Sequence, residues 1–318
     1  MDYLHILTRA LAITWRHKYL WLLAIFAGEA TTIGFGFHQG SAGTTRSGRG
    51  VPTHADWAQV TAWMGAHAAL LWSLGILVAL VGLALFLVSA VANGALVRGA
   101  AEHDAERHFG LRQAWRAGLG TFRPVLGIKL FGLLVFASGA IVIGGLGLMT
   151  AVFGYGGNLA AAIATGALAG LLLLAAIPIA IVLQVAIVLG VRAVVLDGRG
   201  ASAGLAAGLS LIRHRLGRVA LFLLLVSLAG VLASLVVGLA VAAAALPVVV
   251  LAVSAYLAGG WALAVGTGLV LGAAWLVVAV ACLGAANAFT STCWTLAYPR
   301  FDQEPSPAVS AAAGPAPA

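Results

Sequence analysis

Six long runs of apolar residues constrain this chain more than any other feature. They cover residues 19–37, 68–97, 125–153, 159–191, 219–253 and 261–296. A helix crosses a hydrocarbon core of about 30 Å with about 20 apolar residues. In lipid, a helix satisfies its own backbone hydrogen bonds, whereas an irregular segment does not. The sequence therefore predicts an all-α fold, an integral membrane six-helix bundle.

The composition excludes a soluble domain. Hydrophobic residues make up 62% of the 318 residues and charged residues 8%, with a mean hydropathy of +1.07. Soluble domains carry roughly 25% charged residues, which they need to cover a core with polar surface. The formal net charge is +8, but the basic residues lie between the apolar runs and form no single cluster. We therefore expect no nucleic-acid partner.

The positions of the basic residues predict the orientation in the membrane. Of 17 lysines and arginines, 14 lie in the two terminal segments or in the loops that join the second run to the third and the fourth to the fifth, and Lys129 lies near the start of the third run, next to the first of these loops. The other two are Arg46 and Arg49. Basic residues are retained on the cytoplasmic side of helical membrane proteins. We expect both termini and these two loops to be cytoplasmic.

A basic-to-apolar junction recurs three times along the chain, as TWRHKYLWLL, TFRPVLGIKL and LIRHRLGRVALF. Each follows a short segment with apolar residues at helical spacing: Leu4, Leu7, Leu11 and Trp15; Leu111, Trp115, Leu119 and Phe122; Leu205, Leu209 and Ile212. One interpretation is a parallel three-fold repeat with units 1–97, 98–191 and 192–300. The alternative is that basic residues simply mark the cytoplasmic ends of any polytopic protein. The remaining segment, 301–318, is rich in Pro and Ala and predicts a disordered cytoplasmic tail.

The three short segments predict interfacial amphipathic helices on the cytoplasmic side. Such a helix is too polar to cross the bilayer and is most stable in the headgroup layer. Arginine side chains extend to phosphate groups while their stems remain in contact with lipid. The candidate contacts to anionic headgroups of the inner leaflet are Arg9, Arg16, Arg112, Arg116, Arg123, Arg213 and Arg215.

A few polar residues fall in or beside the apolar runs. Glu29, Asn93, Gln184 and Asn287 are candidates for a path through the membrane. An intramembrane carboxylate such as Glu29 is costly and is a functional candidate by default, and His67 is its possible outer-side partner. The amides equally suit hydrogen bonds between neighbouring helices.

No enzyme signature is present in the sequence. The segment RGAAEHDAERHFG gathers acids and histidines within one loop, but it lacks H-E-x-x-H and any thiolate. A self-paired, solvated loop is the favoured interpretation of this segment. We expect no enzymatic activity, no cofactor and no metal.

The segments ITWRHKYLWLLAIF and ANAFTSTCWTLAYPRF resemble a group of bacterial polytopic proteins. That group is related to the membrane domain attached to some glycerophosphodiester phosphodiesterases. The resemblance implies a six-helix module in the bacterial cytoplasmic membrane, without a catalytic domain. The predicted function is a non-enzymatic scaffold or a lipid- and partner-binding module, and the candidate partners are membrane lipids and a membrane protein. The alternative is a small-solute or ion transporter that uses Glu29 and the intramembrane amides.

Overall fold

A computed structural model describes residues 3–28 and 54–302, which fold into α-helices and short connections. The helices are α1 (Tyr3–Arg16), α2 (Tyr19–Ala27), α3 (His54–Ala66), α4 (Ala68–Asp104), α5 (Leu111–Gly120), α6 (Phe122–Tyr155), α7 (Leu159–Asp197) and α8 (Ala201–Asp302). No strand occurs within these ranges. The predicted all-α class is confirmed. Glu29 and the segment 303–318 lie outside the described residues.

Four of these helices, α4, α6, α7 and α8, are long and apolar enough to cross a membrane. α8 contains 102 residues, but its backbone leaves the helical region at Arg215 and at Gly260. These two positions divide α8 into stretches 201–214, 216–259 and 261–302. The φ of 77° at Gly260 falls in the region that glycine adopts without steric cost. Gly260 lies in the segment SAYLAGG, which separates the fifth apolar run from the sixth.

The segment GYGGN, which separates the third apolar run from the fourth, joins α6 to α7. α6 ends at Tyr155, and α7 begins after Asn158, whose side-chain oxygen accepts a hydrogen bond from Ala161 N at 3.1 Å. This bond satisfies one of the free N–H groups at the start of the helix. Proline can kink a helix, and Pro178 lies inside α7 and Pro247 inside α8. Pro247 is not one of the two non-helical positions in α8.

The long helices direct most of their apolar side chains outward. In the most apolar 18-residue segment of α4, only 11% of the residues are buried, and the fraction is the same in α6. Leu74, Leu134 and Leu173 are each more than half exposed. Contiguous apolar surface of this extent is unstable in water and stable in lipid. These helices therefore fit a membrane protein.

The buried core is concentrated at one end of the long helices. There α1 and α2 pack against α4 and α8, and α6 packs against α7. Phe222 contacts the ring of Trp294 at 5.1 Å between centroids and that of Phe301 at 5.6 Å, both nearly perpendicular. Phe301, at the start of the segment assigned to the tail, is thus part of the core, and α8 continues to Asp302. This packed end positions the short helices α1 and α5.

Candidate functional site

α1 carries large apolar residues on two faces, one packed against the core and one exposed. Ile6, Ala10 and Ile13 are buried, mainly against α8. Leu4 and Trp15 point outward and are 72% and 67% exposed. An exposed leucine and tryptophan beside arginines suit a lipid-facing surface at headgroup depth.

α5 also exposes an apolar face, and it packs on α4 through small residues. Ala114 and Gly118 are buried, while Leu111, Trp115 and Leu119 are exposed. A Cβ atom on Gly118 would collide with the Val91 carbonyl oxygen of α4 and would lie 3.0 Å from the Ala95 nitrogen. Small residues permit such a close approach between helix backbones.

The 201–214 stretch of α8 crosses α7 in the same way. A Cβ on Gly208 would lie 2.5 Å from the Ala186 carbonyl oxygen and 3.0 Å from the Gly190 nitrogen. Gly118 precedes Gly208 by 90 residues. On the partner helices, Val91 and Ala95 of α4 precede Ala186 and Gly190 of α7 by 95 residues each. In both crossings the glycine lies against a carbonyl oxygen and against the backbone nitrogen four residues later.

A large open cleft of about 920 Å³ lies between α1 and the connection from α4 to α5. We call it the basic cleft, because its lining includes four arginines: Arg9, Arg16, Arg107 and Arg112. Arg9 and Arg16 belong to α1, Arg107 to the connection between α4 and α5, and Arg112 to α5. The structure thus brings together three of the predicted headgroup contacts, Arg9, Arg16 and Arg112.

Two of the four arginines have acidic partners. The Arg9 guanidinium lies 3.4 Å from the Asp104 carboxylate and 3.1 Å from that of Glu106. Arg107 lies 3.1 Å from Glu102. Arg16 and Arg112 have no acidic partner among the described residues. The acidic loop is partly self-paired, as expected, but it also pairs with Arg9 of α1.

Two histidines stack at the inner wall of the cleft. The rings of His17 and His103 lie 3.6 Å apart and are nearly parallel, and His103 Nε2 is 2.7 Å from the Tyr19 hydroxyl. α4 is 37 residues long, about 55 Å, so its last turn extends beyond a hydrocarbon core of about 30 Å. Burial, with the neighbouring His17, lowers the pKa of His103 to about 4. Burial and then Arg16 lower the pKa of His17. Both rings are neutral at pH 7, so the positive charge of the cleft comes from arginine.

A second concavity, of about 510 Å³, adjoins the basic cleft. We call it the apolar groove, and it is lined by Leu22 of α2 and by the exposed face of α5: Leu111, Arg112, Trp115, Arg116 and Leu119. Arg112 lines both the cleft and the groove. The predicted contact Arg116 therefore belongs to the groove. The remaining predicted contacts, Arg123, Arg213 and Arg215, line neither one.

Two of the predicted intramembrane amides meet in a smaller cavity of about 240 Å³ between α4, α6 and α7. Asn93 and Gln184 line it with Ser89 and Lys129, while Asn287 does not. Asn93 is 2% exposed, and its Oδ1 atom has no hydrogen-bond partner among the described residues. Lys129 Nζ donates to the Ala27 carbonyl at 2.6 Å and to the Ser89 hydroxyl at 2.8 Å.

Lys129 is one of the basic residues that predict the orientation in the membrane, but it is not among the predicted intramembrane polar residues. It lies inside the third apolar run, and a lysine within such a run is itself a sign of a functional or structural site. His17 and His103 gave no comparable signal, because they are 86 positions apart and belong to different segments. Among the described residues, no group of three or more His, Cys, Asp or Glu side chains could hold a metal ion.

The outward apolar surfaces and the four spanning-length helices define the class of this molecule, an all-α membrane protein. The chain belongs to a family of unknown function, DUF7544, whose model matches residues 9–297. No curated protein and no solved structure matches it. The family match does not link the chain to the membrane domain of glycerophosphodiester phosphodiesterases, and that resemblance stays a prediction.

Proposed function

We propose that this protein is a non-enzymatic module of the bacterial cytoplasmic membrane that binds anionic phospholipids at the inner leaflet. The observation that carries the proposal is the outward apolar face of α1 and α5 beside the arginines of the basic cleft. Leucine and tryptophan can enter the acyl-chain boundary while the arginines contact phosphates at the same depth. The bound lipids would fix the orientation of a scaffold for membrane-protein partners.

The proposal includes six spans with both termini in the cytoplasm. The break at Gly260 supports two spans within α8. The first span stays a sequence prediction, of which α2 is the described part. In this layout α1, α5 and the 201–214 stretch are interfacial helices. The matching crossings at Gly118 and Gly208 support a parallel repeat, at least between the second and third units.

Lipid selectivity tests this function. We expect spin-labelled phosphatidylglycerol to associate with the purified protein more strongly than spin-labelled phosphatidylcholine, and added salt to reduce this preference. The double substitution Arg112→Gln and Arg116→Gln should lower the preference about two- to fivefold, because each arginine near an anionic surface contributes about 1 kcal/mol in the most favourable case.

The matched control is Arg46→Gln with Arg49→Gln, which removes the same charge from the segment predicted on the opposite side. This control variant should leave the preference for phosphatidylglycerol over phosphatidylcholine unchanged. Equal association of both lipids with the unsubstituted protein would contradict the proposed function.

A small-solute or ion transporter is the second candidate, and the cavity at Asn93 favours it. A buried amide oxygen without a partner is costly unless a ligand or water supplies a donor. We expect that, if this candidate holds, reconstituted protein gives ion or solute currents on a supported membrane. Asn93→Ala should then reduce these currents at least about tenfold, while the matched Asn287→Ala, outside the cavity, should preserve them. Absence of any current from the unsubstituted protein would count against transport.

A further inference from the structure

We infer that the basic cleft and the apolar groove form one site for a single lipid with a terminal phosphate monoester. The phosphate lies between Arg16 and Arg112, and one acyl chain lies in the groove between α2 and α5. This inference rests on the proposed function, because it names the lipid class that the basic face selects.

The charges of the cleft indicate the headgroup. Arg9 lies beside Asp104 and Glu106, and Arg107 shares Glu102 with Arg98, so these three arginines face three acids. Among the four arginines of the cleft, Arg16 and Arg112 are the two without an acidic partner in the described residues. They belong to α1 and α5 and line the same space. A phosphate monoester carries a charge of about −1.5 to −2 at pH 7, which balances two guanidinium groups. A phosphodiester carries a single negative charge and leaves one of them uncompensated.

The geometry of arginine adds selectivity for phosphate. Each guanidinium presents a planar fork that binds two phosphate oxygens at once. A monoester offers three terminal oxygens, enough for contacts from both arginines. Among the described residues that line the cleft, Glu106 is the single acid, and it is already held by Arg9 at 3.1 Å. The cleft therefore presents little repulsion to a dianion.

The continuity of the two concavities indicates that the ligand is a lipid and not soluble phosphate. Arg112 lines both, so a phosphate held there lies at the entrance of the groove. The groove walls are the half-exposed Leu22 of the apolar helix α2 and the exposed Trp115 and Leu119 of α5. A free phosphate would make no contact with these side chains, whereas an acyl chain attached to the bound phosphate can lie along them in the groove.

Lipid binding in nanodiscs tests the inference. Full-length protein is placed in phosphatidylcholine nanodiscs, and bound phosphatidic acid, a monoester, is counted by native mass spectrometry and compared with phosphatidylglycerol, a diester. We expect one saturable phosphatidic acid per chain and weaker binding of phosphatidylglycerol. The double substitution Arg16→Gln and Arg112→Gln should lower the affinity for phosphatidic acid at least about tenfold.

The matched control is Arg199→Gln with Arg300→Gln, which removes the same charge from two arginines that lie outside both concavities and are not among the predicted headgroup contacts. It should change the affinity less than about twofold, since these positions contribute bulk charge alone. Trp115→Ser with Leu119→Ser should weaken binding of the long-chain lipid. Glycerol 3-phosphate, which has no acyl chain, should not displace it. A thermal melt of each variant shows whether it is folded, and Arg16→Lys with Arg112→Lys, which keeps the charge but not the fork, should have intermediate affinity.

The outcomes separate this inference from the proposed function. Equal losses in the two glutamine pairs, or equal affinities for the two anionic lipids, would overturn the site and leave general binding of anionic lipid in place. Displacement of the lipid by glycerol 3-phosphate at comparable concentration would overturn the lipid as occupant. If the protein shows no preference for either anionic lipid over phosphatidylcholine, the proposed function fails together with the inference.

Discussion

Gly208→Val is expected to destabilise the protein by about 3 kcal/mol, the upper part of the range for overpacking a close contact. The added side chain would begin 2.5 Å from the Ala186 carbonyl oxygen and 3.0 Å from the Gly190 nitrogen. Both neighbours are backbone atoms of α7 and cannot rotate away, so the 201–214 stretch must move off the helix. Reversible unfolding in detergent, followed by circular dichroism, measures the loss.

Gly217→Val is the matched control, because Gly217 lies in the next helical stretch of α8 and a Cβ there would meet no atom within 4 Å. Both substitutions carry the same intrinsic change in helix propensity. The difference between them therefore reports the crossing alone. Equal stabilities of the two variants would show that the 201–214 stretch does not pack on α7 as described.

The equivalent change at the other crossing is part of the same expected result. Gly118→Val should destabilise the α4–α5 contact by a similar amount, and Gly120→Val, where a Cβ meets no atom within 4 Å, should not. Similar losses at Gly118 and Gly208 would support the repeat between the second and third units. A large loss at one crossing and none at the other would leave the two contacts as unrelated features of the chain.

The helical class and the turns follow from the sequence for a direct physical reason. An apolar run of about 20 residues or more leaves a helix without a polar face, which suits a membrane span and not the surface of a soluble protein. Glycine-rich segments such as GYGGN end these runs. The break at Gly260 follows from the same reasoning. The break at Arg215 falls within the third basic-to-apolar junction, where the sequence predicts a turn between the short segment and the fifth apolar run. Tertiary packing of the preceding stretch on α7 accompanies this change of direction.

The packing faces of the short helices could not be predicted from hydrophobicity. In a soluble protein, Leu111, Trp115 and Leu119 would point to the core, but here they point outward and Gly118 packs inward. In lipid, apolar side chains gain little by leaving the surface, and close backbone contact decides which face is buried. A pattern of small residues is therefore the useful signal, and in a chain with 41 glycines it is hard to isolate.

The candidate site was predictable in part. Helical periodicity in each short segment identified Arg9, Arg16 and Arg112 separately, and the structure then placed them around one cleft. The pairing of Arg9 with Asp104, 95 positions away, carries no local signal. The stacked histidines are likewise a product of tertiary structure. Sequence spacing reports neighbours on one helix, whereas a cleft between helices depends on how those helices pack.

The most direct test of the account is the side of the membrane on which the basic end lies. In a variant with Cys282 and Cys293 replaced by alanine, single cysteines are introduced at Gly110 and Gly200, near the basic end, and at Tyr155 and Leu257, near the opposite end. α6 spans 34 residues, about 51 Å, so its two ends cannot share one membrane surface if it crosses a core of about 30 Å. Labelling is therefore expected to be all-or-none.

A membrane-impermeant maleimide should label Tyr155→Cys and Leu257→Cys in intact spheroplasts. Gly110→Cys and Gly200→Cys should react with it only after the membrane is opened. Labelling of Gly110→Cys or Gly200→Cys from the outside would contradict a cytoplasmic basic cleft and the lipid-binding role assigned to it.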